Sequence, residues 1–244
     1  KLTDINDWEE VLTFPDLDAL DWEASGKANA DYLNTPQLNQ LALLDGFWER
    51  LISLMDVENA AIALIDEDQE DALHSFFDKY ADFMIDYVRH AKAVYDLDCI
   101  LIHDDWGHQK GGFFSLDTAM EKIVPYYKRL TDAVHEMGML FELHSCGLNE
   151  ALVPAYIAAG FDWWAPQPIN NVDMLSEKYK DYPFYFACQT IGLAPDASEE
   201  EQIRVATAWF EKYKDRHVIS SFMDATPLVM NTIYKLSREY YCGA

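Results

Sequence analysis

Three side chains that can bind a metal ion alternate along one apolar stretch near the middle of the chain. Side chains on a β-strand point alternately to opposite faces, so Glu142, His144 and Cys146 share one face of a strand that starts at Leu140. Zinc accepts carboxylate, imidazole and thiolate donors. The spacing therefore indicates a zinc site. The alternative is a half-buried strand whose polar face carries these three residues without a function.

The composition is ordinary for a globular protein, but the charge is not. Half of the 244 residues are hydrophobic and a quarter are charged, with a net charge of −25. Nucleic acid and anionic membrane surfaces would repel such a chain. No stretch approaches the roughly eighteen uninterrupted apolar residues that a membrane span requires. We therefore expect neither nucleic acid nor a membrane as a partner.

The cysteines are widely spaced, at Cys99, Cys146, Cys188 and Cys242. Such spacing is not typical of a disulfide framework, and no signal peptide is visible. Because thiols stay reduced in the cytoplasm, the sequence predicts a cytoplasmic protein.

From residue 38 onward, short apolar runs alternate with helical patterns. The runs that we predict as strands cover 38–44, 98–105, 140–145, 161–165, 184–188 and 217–223. Continuous apolar strands separated by helices are typical of an α/β fold with a parallel sheet and right-handed crossovers. Residues 1–37 have weaker periodicity, and we predict a helical segment there, followed by one domain over 38–244.

Two of the predicted helices have clear boundary signals. The helix over 116–137 follows Ser115, a good N-cap, and ends at Gly138, a good C-cap. Another helix begins at Ser198, with Glu201 three residues later, which is the pattern of a capping box.

Polar residues follow the ends of the predicted strands. They are Asp45, 103–105, 144–146, Gln189 and Asp224. In a (β/α)₈ barrel the carboxyl ends of the strands form the active-site face. An open doubly wound sheet is the alternative, but no glycine-rich phosphate loop follows any strand, so a nucleotide-binding fold is less well supported.

Several motifs, taken in order, resemble the uroporphyrinogen decarboxylase superfamily. They are Gly46-Phe47, the runs 104–109 and 125–129, the run 143–147 (Leu-His-Ser-Cys-Gly), the run 159–162, and Thr226-Pro227 before the last helix. The resemblance covers nearly the whole chain from about Leu38. It implies a (β/α)₈ TIM barrel that is truncated at its N-terminus and retains six of its eight strands.

The methyltransferase branch of that superfamily carries a zinc ion held by a His-x-Cys pair and a distant cysteine. His144 and Cys146 match the pair. The place of the third ligand reads Ser-Ser-Phe-Met-Asp over 220–224, without a cysteine. The resemblance therefore implies a zinc site with His144 and Cys146, in which Glu142 or Asp224 supplies the missing donor.

The same resemblance assigns roles to the remaining polar residues. Asp105 and His108 are the predicted catalytic residues, which would orient or protonate a leaving group. We assign substrate contacts to His103, Trp106 and Gln189.

The function implied is a zinc-dependent methyltransferase that moves a methyl group between a small methylated substrate, or a thiol, and a corrinoid protein. One alternative is a metal-free uroporphyrinogen decarboxylase that acts on a tetrapyrrole. The net charge of −25 argues against this alternative, because that substrate is a polyanion, and the arginine-rich motif of that branch is absent here. A second alternative is a non-catalytic truncated barrel that docks a corrinoid protein.

A sheet of six strands has two open edges, and open edges pair readily with other chains. We therefore expect the protein to form homo-oligomers, or to cover the edges with residues 1–36. Sedimentation of the purified protein measures its state of association. Monomers with both edges bare would contradict this expectation.

Overall fold

Internal contacts divide the chain into two units at Asp162, and the computed structural model describes residues 2–243 of them. The helices and strands of the first unit are, in chain order, α1 (Trp8–Val11), α2 (Trp22–Ala28), α3 (Ala30–Leu33), β1 (Gln40–Leu43), α4 (Phe47–Leu54), α5 (Val57–Ala63), α6 (Glu70–Tyr95), β2 (Cys99–His103), β3 (Gly107–His108), β4 (Gly111–Gly112), α7 (Leu116–Thr118), α8 (Val124–Glu136), β5 (Leu140–Ser145) and α9 (Val153–Ala159). Short 3₁₀ turns at Ile5–Asp7, Glu67–Gln69 and Glu150–Leu152 precede α1, α6 and α9.

The sheet of the first unit has the order β1-β2-β5, and all its pairs are parallel. Phe141 lies opposite Ile100, and His144 lies opposite His103. The prediction of parallel strands in sequence order is therefore confirmed here. This register brings the two histidines to the same end of adjacent strands. β3 and β4 form a short antiparallel hairpin directly after β2.

The second unit repeats the alternation of strand and helix. Its elements are β6 (Trp163–Pro166), α10 (Val172–Lys178), β7 (Tyr185–Cys188), α11 (Glu199–Tyr213), β8 (Val218–Ser220) and α12 (Pro227–Cys242). β7 lies between β6 and β8 and pairs with both in parallel. The Ser198 hydroxyl accepts from the Glu201 N–H at 3.3 Å, which confirms the predicted cap of α11. Closure of these strands into a (β/α)₈ barrel stays a prediction.

The helix predicted over 116–137 is not uniform. It begins at the predicted cap, where the Ser115 hydroxyl accepts from the Thr118 N–H at 3.0 Å, and it ends at Gly138 in the left-handed conformation. Between α7 and α8, however, the backbone forms a π-helical turn over Ala119–Ile123. Pro125 follows this turn. Because proline has no N–H, it cannot donate the bond that would continue a regular α-helix at that point.

The N-terminal segment packs against α6 in the first unit. Aromatic rings make most of this contact, with centroids 5.6 Å apart for Trp8–Phe76 and 5.3 Å apart for both Phe14–Phe83 and Trp22–Tyr87. Ile5 is fully buried, and its N–H donates to the Gln69 side chain at 3.2 Å. The predicted domain boundary at residue 38 stays a prediction. Within the described part of the chain, no helix combines the length and the apolar character that crossing a bilayer demands.

Replacing Ile5 with alanine should lower the free energy of unfolding by about 2–5 kcal/mol, because it removes a fully buried side chain and leaves a cavity. Ile65→Ala is the matched control, since that side chain is 73% exposed. It should change stability by less than about 1 kcal/mol. Urea unfolding of both variants gives the comparison. Equal losses would mean that the N-terminal segment is not part of this core.

Candidate metal centre

Four metal-binding side chains meet where β2 and β5 end. His103 and His144 are the paired residues of the two strands, and their rings stack with centroids 5.0 Å apart. Asp105 and Cys146 follow in the adjoining loops. One donor atom from each of the four residues lies within 4.8 Å of the other three.

The spacing of these donors fits a zinc ion. Bonds of about 2.0–2.3 Å in a tetrahedron put neighbouring donors about 3.3–3.8 Å apart. The His144 Nε2 lies 3.3 Å from the Cys146 Sγ, and the His103 Nε2 lies 3.6 Å from the Asp105 Oδ1. Two imidazoles, a thiol and a carboxylate are donors that zinc accepts together. The residues present therefore fit the metal that the sequence predicts.

Glu142 lies outside this group. Successive residues on one face of a strand are about 6.6 Å apart, so Glu142 sits one step behind His144. There it is buried, and its carboxylate accepts from the Gln40 side chain at 2.6 Å. Cys146 lies closer to His144 than this spacing, because β5 ends at Ser145 and the chain turns after it. The predicted ligand role of Glu142 stays a prediction.

The loop after β5 is turned by a glycine and fixed by an asparagine. Gly147 has φ +92°, and a Cβ there would lie 2.3 Å from the carbonyl carbon of Gly107 in the neighbouring hairpin. The Asn149 side chain donates to the Cys146 carbonyl at 2.6 Å. The Cys146 N–H in turn donates to the Asp105 Oδ1 at 2.6 Å. These contacts hold the thiol and the carboxylate beside each other.

A buried carboxylate, Asp104, ties β2 to the start of α4. Its Oδ1 accepts from the Glu49 N–H at 2.8 Å, and its Oδ2 accepts from the Trp48 N–H at 3.3 Å. Both N–H groups belong to the first turn of α4, where no intrahelical acceptor exists. The N-cap itself is Gly46, which has no side chain to offer. Asp104 therefore acts as the cap of a helix from which it is distant in sequence.

Two further donors reach the same carboxylate. The Tyr127 hydroxyl and the Trp106 Nε1 donate to the Asp104 Oδ2 at 2.6 Å and 2.7 Å. Burial raises the pKa of Asp104 to about 6, although these donors act in the opposite direction. A Cβ on Gly46 would lie 2.1 Å from the Tyr127 hydroxyl and 2.3 Å from the Asp104 Cβ. Only glycine therefore lets the helix start approach this closely.

Electrostatics at the centre are dominated by carboxylates. The His103 Nδ1 lies 2.9 Å from a Glu49 carboxylate oxygen, and this hydrogen bond raises the pKa of His103. Burial raises the pKa of the Cys146 thiol to about 12, and the nearby charges of Asp105 and Glu49 act in the same direction. A divalent cation among the donors would reverse this effect, because a coordinated thiol is deprotonated.

The remaining predicted site residues lie elsewhere. Trp106 is fully buried, so its position gives no support to the predicted substrate contact. The His108 Nδ1 accepts from the Lys110 N–H at 3.3 Å. Gln189 and Asp224 belong to the second unit, where the Asp224 carboxylate accepts from two backbone N–H groups, over 191–192, at 2.9 and 3.1 Å. The roles predicted for these four residues stay predictions.

Sequence reasoning missed two features that shape this centre. They are the contact of Glu49 with His103 and the capping of α4 by Asp104. A signal for the second was present. Gly46 at the N-cap of α4 has no side chain that could accept from the first N–H groups of the helix, which indicates an acceptor from another element. Glu49 carried only a weak signal, because an acidic residue in the first turn of a helix is common.

No protein-family model matches the chain, and no curated protein matches it in sequence. Among solved structures, the chain is similar to a methyltransferase from Methanosarcina mazei, with a TM-score of 0.64 and 14% identity. The match covers 90% of this chain and 64% of that one, so the chain spans less than two thirds of that structure. At this identity the likeness shows a shared α/β fold.

Two weaker similarities are to a group IV chitinase from Ostrinia furnacalis and to a sugar phosphate isomerase/epimerase from Parabacteroides distasonis. Both have a TM-score of 0.37, with 11% and 10% identity. Both matches cover 84% of this chain, and they cover 51% and 94% of the other chains, respectively. Neither carries an argument about this protein.

Replacing Tyr127 with phenylalanine should lower the free energy of unfolding by about 1–3 kcal/mol, because the buried Asp104 loses one donor. The neighbouring variant, Tyr126→Phe, is the control. That hydroxyl contacts His74 in a partly exposed setting, so we expect the smaller loss. Thermal or urea unfolding ranks the two. A larger loss for Tyr126→Phe would show that the bond to Asp104 is not a principal support of this region.

Proposed function

We propose that this protein is a zinc-dependent methyltransferase of the uroporphyrinogen decarboxylase superfamily. It moves a methyl group between a small methylated substrate, or a thiol, and a corrinoid protein. The observation that carries the proposal is the group of four donors where two parallel strands end. The fold shared with the Methanosarcina mazei methyltransferase supports it.

In this proposal His103, Asp105, His144 and Cys146 would hold the zinc ion, and His103 and Asp105 would take the part predicted from the sequence for Glu142 or Asp224. When bound, zinc would supply a Lewis acid that lowers the pKa of a sulfur or oxygen atom of the substrate, which would have to replace one of the four donors or add a fifth, because a tetrahedral ion with four protein ligands has no open position. The thiolate and carboxylate of the donor set offset the charge of the ion.

The chain's own groups orient the reaction. Asp105 keeps its position because its Oδ1 accepts the Cys146 N–H. The His108 Nδ1 accepts the Lys110 N–H, so in a neutral ring the proton lies on Nε2. That N–H can donate a hydrogen bond to a leaving group and so orient it, whereas protonating the leaving group would require the imidazolium form of His108.

The donor group is exposed enough to be reached by a corrinoid bound to a partner protein. The side chains of His103 and Asp105 keep 30% and 27% of their surface exposed, so the donors are reached from outside the protein. A corrinoid held by a partner protein needs such an opening, because the methyl group must pass between two chains.

The four cysteines are free, which is in keeping with the proposed cytoplasmic location.

Replacing Cys146 with serine exchanges a soft anionic donor for a weak neutral one. We expect the zinc content per chain, measured by elemental analysis after purification, to fall from near one to a small fraction. Zinc affinity should fall by orders of magnitude, and methyl transfer to a corrinoid protein should fall with it.

Cys188→Ser is the matched control, because that thiol contacts the Thr190 carbonyl and is not part of the donor group. It should change the melting temperature at most and leave the zinc content unaltered. Equal zinc in the wild type and in Cys146→Ser would contradict the proposed centre. Absence of zinc from the wild type after reconstitution would contradict it as well.

A further inference from the structure

We propose that Glu49 is a positioning residue of the metal centre, which fixes the ring of His103 so that its Nε2 faces the other donors. The proposal rests on the proposed function, since it assigns a role toward the same zinc ion.

The contact between Glu49 and His103 determines which nitrogen of the imidazole carries the proton. The Glu49 Oε2 lies 2.9 Å from the His103 Nδ1, so the ring donates its Nδ1 proton to the carboxylate. The lone pair of Nε2 is then directed to the opposite side, where the Asp105 Oδ1 lies at 3.6 Å. A histidine ligand needs this arrangement, because the second nitrogen of a metal-bound imidazole commonly donates to a carboxylate that fixes the ring.

Both the backbone and the side chain of Glu49 are constrained. Its backbone N–H donates to Asp104, the residue that directly follows His103 in the chain. Its side chain is only 18% exposed, whereas a solvated glutamate on a helix surface would rotate freely. His103, Asp104 and Glu49 thus form a closed set of contacts, in which two consecutive residues at the end of β2 bind the side chain and the backbone of one residue on α4.

A purely structural role for Glu49 is the competing explanation. An acidic side chain in the first turn of a helix is stabilising by itself, through the helix dipole. Such a role would affect stability but not the tautomer of His103 or the affinity for zinc. Glu58, which is exposed in the first turn of α5, has that helix-dipole position without a contact to the centre, so it provides the matched control.

The experiment compares Glu49→Ala, Glu49→Gln, Glu58→Ala and the wild type, each as the 244-residue chain. Zinc affinity is measured by competition with a chromophoric chelator. The ring tautomer of His103 is measured in the zinc-free protein by long-range ¹H–¹⁵N correlation, at a pH high enough for the ring to be neutral, because an imidazolium has no tautomers. We expect Glu49→Ala to weaken zinc binding about 10–100-fold and to populate both tautomers. Glu49→Gln, which keeps an acceptor, should recover most of the affinity, and Glu58→Ala should match the wild type.

The outcomes separate this proposal from the one on which it rests. If the wild type binds no zinc, the proposed function fails. If the wild type binds zinc, and Glu49→Ala binds it equally with His103 in a single Nδ1-protonated form, only the role of Glu49 fails. Should Glu49→Ala not fold, as judged by circular dichroism, Glu49→Leu takes its place, because leucine is of similar size and has no acceptor for the His103 Nδ1 proton. A loss of zinc affinity of about 10–100-fold in that variant supports the proposal, and wild-type affinity overturns it.

Discussion

The buried carboxylate of Asp104 is the constraint on which the first unit depends. A carboxylate that is buried away from solvent needs hydrogen-bond donors, and removing them would lower the stability of the fold by several kcal/mol. Its donors come from the start of α4, from the loop after β2 and from α8. Satisfying one side chain therefore fixes three elements at once, and all three surround the end of the sheet.

The position of Asp104 in the chain links this support to the chemistry. His103 and Asp105 are its neighbours on either side, and both belong to the donor group. Because successive side chains of an extended chain point in opposite directions, Asp104 points into the packed interior while its neighbours face the centre. A shift of α4 would thus be transmitted through Asp104 and Glu49 to the ring of His103.

The charge balance of the centre also follows from this arrangement. Burial raises the pKa of the Cys146 thiol, and the nearby carboxylates of Asp105 and Glu49 raise it further, so that without a cation the protonated form is favoured. A bound cation makes the same carboxylates favourable neighbours, because each then faces a positive charge. The same carboxylates therefore disfavour a thiolate in the metal-free protein and would stabilise a divalent metal ion bound at the centre.

The sequence by itself determined the alternation of strand and helix, the parallel pairing, the caps at Ser115 and Ser198, and the proximity of His144 to Cys146. Each follows from local rules of periodicity or hydrogen bonding. Only the tertiary structure decided that His103 and Asp105 join that pair and that Glu142 lies behind it. Period-two alternation gives the face of a side chain, but not where the strand ends or which residue lies beside it on the next strand. That information lies in the register of His103 against His144 and in the turn at Gly147, both of which arise from contacts between distant parts of the chain.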